Sequence, residues 1–109
     1  MGRDSRRARG ASGTAAGQQE VDRAWQFRGA SDRIQSSPTV VDNLCYVGSN
    51  EGRVFAIQKD RGVERWRYGR PTDAVRTAPA VVSGRCFVGS DDGVVYAINA
   101  QTGDPPLGL

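Results

Sequence analysis

Apolar and polar positions alternate along this chain in runs of four to six residues, and small turn-forming groups separate the runs. Residues 37–41 (SPTVV) follow a loop and end in β-branched side chains. The Asp42-Asn43 pair then turns the chain into residues 44–49 (LCYVGS), which alternate. Asn50-Glu51-Gly52 turns it again into residues 53–58 (RVFAIQ), and residues 59–62 lead into residues 63–68 (VERWRY), which carry Trp66. Period-two runs bounded by Gly, Asn and Asp predict strands joined by tight hairpins. A further strand is expected over residues 23–28, around Trp25. No stretch keeps the 3.6-residue period of a helix.

The whole pattern then recurs. CYVGSNEGRVFAI starts at Cys45 and CFVGSDDGVVYAI starts at Cys86, and an ungapped offset of 41 residues aligns Trp25 with Trp66, Pro38 with Pro79, Ala56-Ile57 with Ala97-Ile98 and Gly62 with Gly103. In the second copy the central turn is Asp91-Asp92-Gly93, and Asp-Gly between alternating apolar residues is the strongest short hairpin signal. Four antiparallel strands in about 40–50 residues make one β-propeller blade. The expected fold is therefore all-β: two four-stranded antiparallel blades of an incomplete propeller, the units running over about 25–65 and 66–107 within a repeat region of 21–109. The second unit ends in three strands and a stub, residues 104–107 (DPPL), whose prolines cannot donate to a ladder.

Charge changes the picture only locally. The net charge is +3, and the first ten residues, with Arg3, Arg6, Arg7 and Arg9 against Asp4, account for all of it. The rest of the chain is neutral and lacks the clustered basic face that phosphate binding needs, so no specific nucleic-acid partner is expected. Residues 1–20 have no periodic apolar positions and read as a disordered basic tail. They contain a twin arginine with no apolar stretch after it, which predicts a cytoplasmic chain as written; a piece of a longer, exported or cell-surface protein is the alternative. No run approaches the length of a membrane-spanning helix.

The residue types bound the chemistry. There is no histidine, so the commonest general base and the usual zinc ligand are missing. Cys45 and Cys86 are too few for a disulfide framework, and equivalent sites in sheets packed about 10 Å apart cannot be bridged. They read as buried small apolar side chains. Asn50, Glu51, Asp91 and Asp92 offer clustered oxygens that a calcium ion would accept, but each pair lies in a tight turn that calls for such residues anyway. No metal site is expected from them.

Three stretches resemble the pyrroloquinoline-quinone-like (PQQ-like) β-propeller repeat: SSPTVV at 36–41, CYVGSNEG at 45–52 and VFAI…GVERW over 54–66. The second unit is closer still, with APAVV at 78–82, VGSDDG at 88–93 and VYAINAQTG at 95–103. The resemblance covers residues 25–107 and implies a propeller, often of eight blades, in which a tryptophan docking motif joins neighbouring blades. Carried over, Ala56, Gly62 and Trp66 form one such motif, while Ala97, Thr102 and Gly103 begin a second and Trp25 ends an earlier one. Arg61 replaces the usual threonine, and Leu107 stands where the next tryptophan belongs. Trp25 and Trp66 are taken for docking ahead of stacking on a cofactor ring.

The same family includes quinone-dependent alcohol and sugar dehydrogenases, which the resemblance says need adjacent cysteines, a stacking tryptophan and calcium. Neither adjacent cysteines nor an insertion to carry such a site is present. The expected function is a non-catalytic repeat segment that binds protein or acts as a scaffold, with no catalytic residue and no cofactor; a fragment of a quinoprotein dehydrogenase is the alternative. Expected partners are another protein or the chain itself, through exposed blade edges.

Overall fold

The computed structural model describes residues 24–105 of the 109-residue chain. It contains seven strands: β1 (Thr39–Val41), β2 (Leu44–Gly48), β3 (Val54–Gln58), β4 (Glu64–Tyr68), β5 (Ala80–Val82), β6 (Arg85–Gly89) and β7 (Val95–Asn99). They form one sheet in the order β1-β2-β3-β4 and a second in the order β5-β6-β7, with every pairing antiparallel. The all-β architecture and its hairpins follow the alternation of the sequence. The two sheets share one register: Tyr46 lies opposite Ala56 in sheet one, as Phe87 lies opposite Ala97 in sheet two.

Period two sorts each strand onto two faces. Leu44, Tyr46, Val54, Ala56 and Trp66 occupy one face of sheet one and join Val75, Cys86, Val88, Ile98 and Ala100 in a single buried cluster. This is the core between the sheets. Val47, Phe55 and Ile57 occupy the opposite face and pack with Phe27, Ala30 and Cys45. A cysteine, a valine, an aromatic and an isoleucine therefore line the same face of both sheets, at positions 45, 47, 55 and 57 and again at 86, 88, 96 and 98. In sheet two that face meets sheet one. Its other face, with Phe87, Val95 and Ala97, has no sheet against it among the described residues.

One expectation changes. Residues 24–28, expected in a strand, lie outside any strand, and none of their backbone groups is hydrogen-bonded to backbone among the described residues. Sheet two has three strands among the described residues, in keeping with the three strands and proline stub read from the second unit. The described chain ends at Pro105, next to Asp104, whose carbonyl accepts the Asn99 N–H at 2.7 Å. The expectation for residues 1–20, and the Pro106-Leu107 part of the stub, lie outside the described residues. No described helix is long and apolar enough to cross a membrane.

Candidate functional site

Positive φ at the turn after each third strand lets the chain present bare backbone to an aromatic ring. Gly62 has φ +73 and Gly103 has φ +80. A Cβ on Gly103 would stand 2.7 Å from Trp66 Cδ2, and one on Gly62 would stand 2.5 Å from Trp25 Cδ2. Each indole also donates its N–H to a carbonyl of that turn, Trp66 to Ala100 at 3.0 Å and Trp25 to Lys59 at 2.7 Å. The arrangement satisfies the one polar atom of each ring, of which Trp66 is buried and Trp25 exposed. Trp66 lies opposite Ala56 in its own sheet, but its ring rests on Gly103 of the turn after β7. The structure thus separates Gly62 from Trp66, which the resemblance grouped: Gly62 receives Trp25.

Ala97 lies half-buried opposite Phe87 on the open face of sheet two. Thr102 closes the turn, its N–H donating to Asn99 Oδ1 at 3.1 Å and its Oγ1 accepting from the Asp104 N–H at 3.3 Å. Tyr46 adds a second donor to the Ala100 carbonyl, at 3.0 Å. Phe87 at the equivalent place has no hydroxyl to do the same.

The turn carboxylates hold loops. Glu51 Oε1 accepts the N–H groups of Ser31 at 2.9 Å and Asp32 at 3.0 Å. One repeat later, Asp92 Oδ2 accepts the Thr72 N–H at 2.9 Å and the Tyr96 hydroxyl at 2.7 Å, while Oδ1 takes the Val94 N–H of its own turn. The neighbouring position repeats the theme with different chemistry. Asn50 donates to Gln35 Oε1 at 2.9 Å, and Asp91 pairs with Arg76 at 2.6 Å. Sequence reasoning saw only turn formers here. The signal available was that 51 and 92 are both acidic at the repeat offset, as 31 and 72 are both hydroxyl residues.

Electrostatics follow from these contacts. The Tyr96 hydroxyl and the Thr72 N–H hold the Asp92 carboxyl well below the usual carboxylate range, against the opposing effect of burial. The same hydrogen bond pushes Tyr96 up to about 12. Burial works to raise Glu51, but its donors from Ser31, Ser49 and Asp32 outweigh that and bring it down. Burial alone pushes the Cys86 thiol up to about 11, and it raises Cys45 as well. Both cysteines are free.

These residues do not fit a quinone held with calcium. Cys45 and Cys86 belong to different sheets and face different clusters. The indoles already lie on backbone, and Glu51 Oε1, Asp91 Oδ2 and both Asp92 oxygens already accept from N–H, hydroxyl or guanidinium groups, while Asn50 Oδ1 and Glu51 Oε2 are buried without a hydrogen-bond partner among the described residues. Among the described residues no group of three His, Cys, Asp or Glu side chains is placed to hold a metal ion. The described surface also carries exposed apolar strand positions. Val95 is 72% exposed and Phe87 36% exposed on the open face of sheet two, where β7 has β6 as its one strand partner among the described residues.

Antiparallel sheets packed face to face, with an indole of each unit seated on the next turn, define a class: propeller repeats. The family model described as outer membrane protein assembly factor BamB matches residues 8–105, so the chain belongs to that family of PQQ-like β-propeller repeats. Among solved structures it resembles BamB from Moraxella catarrhalis, at 20% identity and a TM-score of 0.66, covering 73% of this chain and 24% of that one. It also resembles the quinohemoprotein alcohol dehydrogenase ADHIIG from Pseudomonas putida HK5, at 28% identity and a TM-score of 0.63, covering 72% of this chain and 13% of that one. A computationally designed protein, Ika4, matches at 19% identity and a TM-score of 0.64, covering 72% of this chain and 48% of that one. The chain thus spans half or less of the length of each of these structures. Among curated proteins it finds no match.

Proposed function

We propose that this chain is a non-catalytic propeller segment that works as a protein-binding or scaffold module, as part of a larger propeller. The observation that carries this reading is the use to which its polar side chains are put. Glu51, Asp91 and Asp92 are committed to loop and turn contacts, so the groups best suited to chemistry serve the fold. Apolar strand surface is what remains for function, and exposed apolar patches mark sites of interaction. The family match to an assembly factor supports the same direction.

A second reading, a fragment of a quinone-dependent dehydrogenase, draws on the 28% identity to the quinohemoprotein enzyme. A direct assay separates the two. The purified chain is incubated with pyrroloquinoline quinone and calcium, then supplied with alcohols or aldoses and an artificial electron acceptor. No quinone-dependent turnover is expected, and turnover above the protein-free control would overturn the non-catalytic reading.

A further inference from the structure

We propose that the Asp92-Gly93 link is a modification site, where Asp92 isomerises to isoaspartate through a succinimide ring. The hydrogen bonds that hold the Thr72 loop to this turn keep the site closed. Of the chain's aspartates and asparagines, Asp92 alone precedes a glycine. The ring needs the next backbone nitrogen as its nucleophile, and a side chain on that residue would crowd the approach. Gly93 is exposed, and a Cβ built on it would have nothing within 4 Å, so the turn leaves room for the ring. Asp92 also folds its side chain forward along the backbone: its Oδ1 accepts the Val94 N–H at 2.9 Å, a turn that passes around the Gly93 nitrogen. The first unit has no such site. Its equivalent pair is Glu51-Gly52, whose longer side chain would have to close a larger ring, and a Cβ on Gly52 would meet the Pro71 carbonyl oxygen at 2.8 Å.

Ring closure joins the Gly93 nitrogen to Asp92 Cγ. The nitrogen gives up its proton, and one oxygen of the protonated carboxyl departs with that proton and its own as water. Water then adds at the former backbone carbonyl of Asp92 and breaks its bond to the Gly93 nitrogen. The chain now runs through Cγ, and the old carbonyl carbon becomes a free carboxylate. One water leaves and one returns, so no oxidant, reductant or cofactor is consumed.

The fold opposes both reacting groups. The Gly93 N–H donates to the Ser90 carbonyl at 3.0 Å, which ties the nucleophile into the turn. The leaving oxygen has to be protonated, whereas Asp92 Oδ2 accepts from the Thr72 N–H at 2.9 Å, the Thr72 hydroxyl at 3.2 Å and the Tyr96 hydroxyl at 2.7 Å. Donors of this kind favour the ionised carboxyl. The reaction therefore runs from turns whose clasp on the Thr72 loop has opened. Its product cannot re-form that clasp, because the backbone has gained a methylene and the carboxylate sits on a different carbon. A brief, reversible opening is converted into a permanent release of the loop.

Ageing the 109-residue protein at neutral pH tests this. Isoaspartate is read by enzymatic methylation of its carboxyl, and the site by peptide fragmentation in a mass spectrometer. Tyr96→Phe removes one donor and keeps the ring, as Phe55 stands at the equivalent place of sheet one. Isoaspartate at 92 is expected to accumulate several-fold faster in Tyr96→Phe than in the parent, and faster again in parent held unfolded in guanidinium chloride. Asp92→Glu is expected to give no signal under any of these conditions. An unfolded chain without isoaspartate at 92, or a signal that persists in Asp92→Glu, would overturn the site. Folded and unfolded parent converting at one rate, or Tyr96→Phe converting no faster than the parent, would overturn the clasp. Converted parent, separated by reversed-phase chromatography and refolded, is expected to melt below the unconverted protein. Equal melting would overturn the release of the Thr72 loop.

Discussion

At Gly103 two demands fall on one residue, a φ of +80 and room for an indole. Gly93 shares the first demand at φ +88 but has nothing within 4 Å of an added Cβ. Left-handed backbone costs an L-residue about 1–2 kcal/mol at either position. Only at Gly103 does the methyl also displace Trp66, the kind of overpacking that costs about 1–3 kcal/mol. Gly103→Ala is therefore expected to lose about 1–3 kcal/mol more than Gly93→Ala in urea unfolding. Equal losses would show that the indole dock contributes nothing beyond turn strain. The sequence held half of this. Glycine at 62 and 103 and tryptophan at 25 and 66 were expected as docking residues, and the resemblance grouped Gly62 with Trp66 in one motif. The contact that forms links Trp66 to Gly103, because β4 lends its inward side chain to the next turn along the stack.

Hairpins and loops are the next scale, and there the turn carboxylates carry the argument. Strand positions were legible from alternation, and turns from Asn-Glu-Gly and Asp-Asp-Gly. The loops between units were not legible, since their backbone is held by side chains about 20 residues away. Nor was the fate of residues 24–28, which repeat the docking side chains of β4 outside any strand. The loop contacts predict a pH dependence. Asp92 has a depressed pKa in the folded state, so its stabilising effect is present above the unfolded aspartate value of about 3.9 and is lost as pH falls below it. Glu51 acts in the same direction. The melting temperature is expected to start dropping near about pH 5 and to keep dropping below about pH 3, toward the depressed folded-state pKa of Asp92. Asp92→Asn should melt lower at neutral pH and show a shallower acid slope. An Asp92→Asn slope as steep as the parent's would mean that the carboxylate does not hold the Thr72 loop.

Across the whole molecule the two sheets share one core, and that decides how the chain unfolds. Leu44, Tyr46, Val54, Ala56 and Trp66 come from sheet one, while Cys86, Val88 and Ile98 come from sheet two. Val75, fully buried, enters from the loop between them. Repeat arrays draw stability from each unit and from the interface with its neighbours. Here the interface holds most of the large buried side chains, so neither sheet should keep its structure once the other opens. Ile98 tests this, since it belongs to sheet two and is fully buried against sheet one. Ile98→Ala is expected to cost about 2–5 kcal/mol, the range for truncating a core isoleucine. The loss should also appear in β2 and β3, strands that do not contain the substitution. Hydrogen exchange read by mass spectrometry follows the two sheets separately, and peptides from both should lose protection together. Protection of β2 and β3 that stayed at the parent level while β6 and β7 opened would mean that the sheets fold independently and the shared core does not couple them.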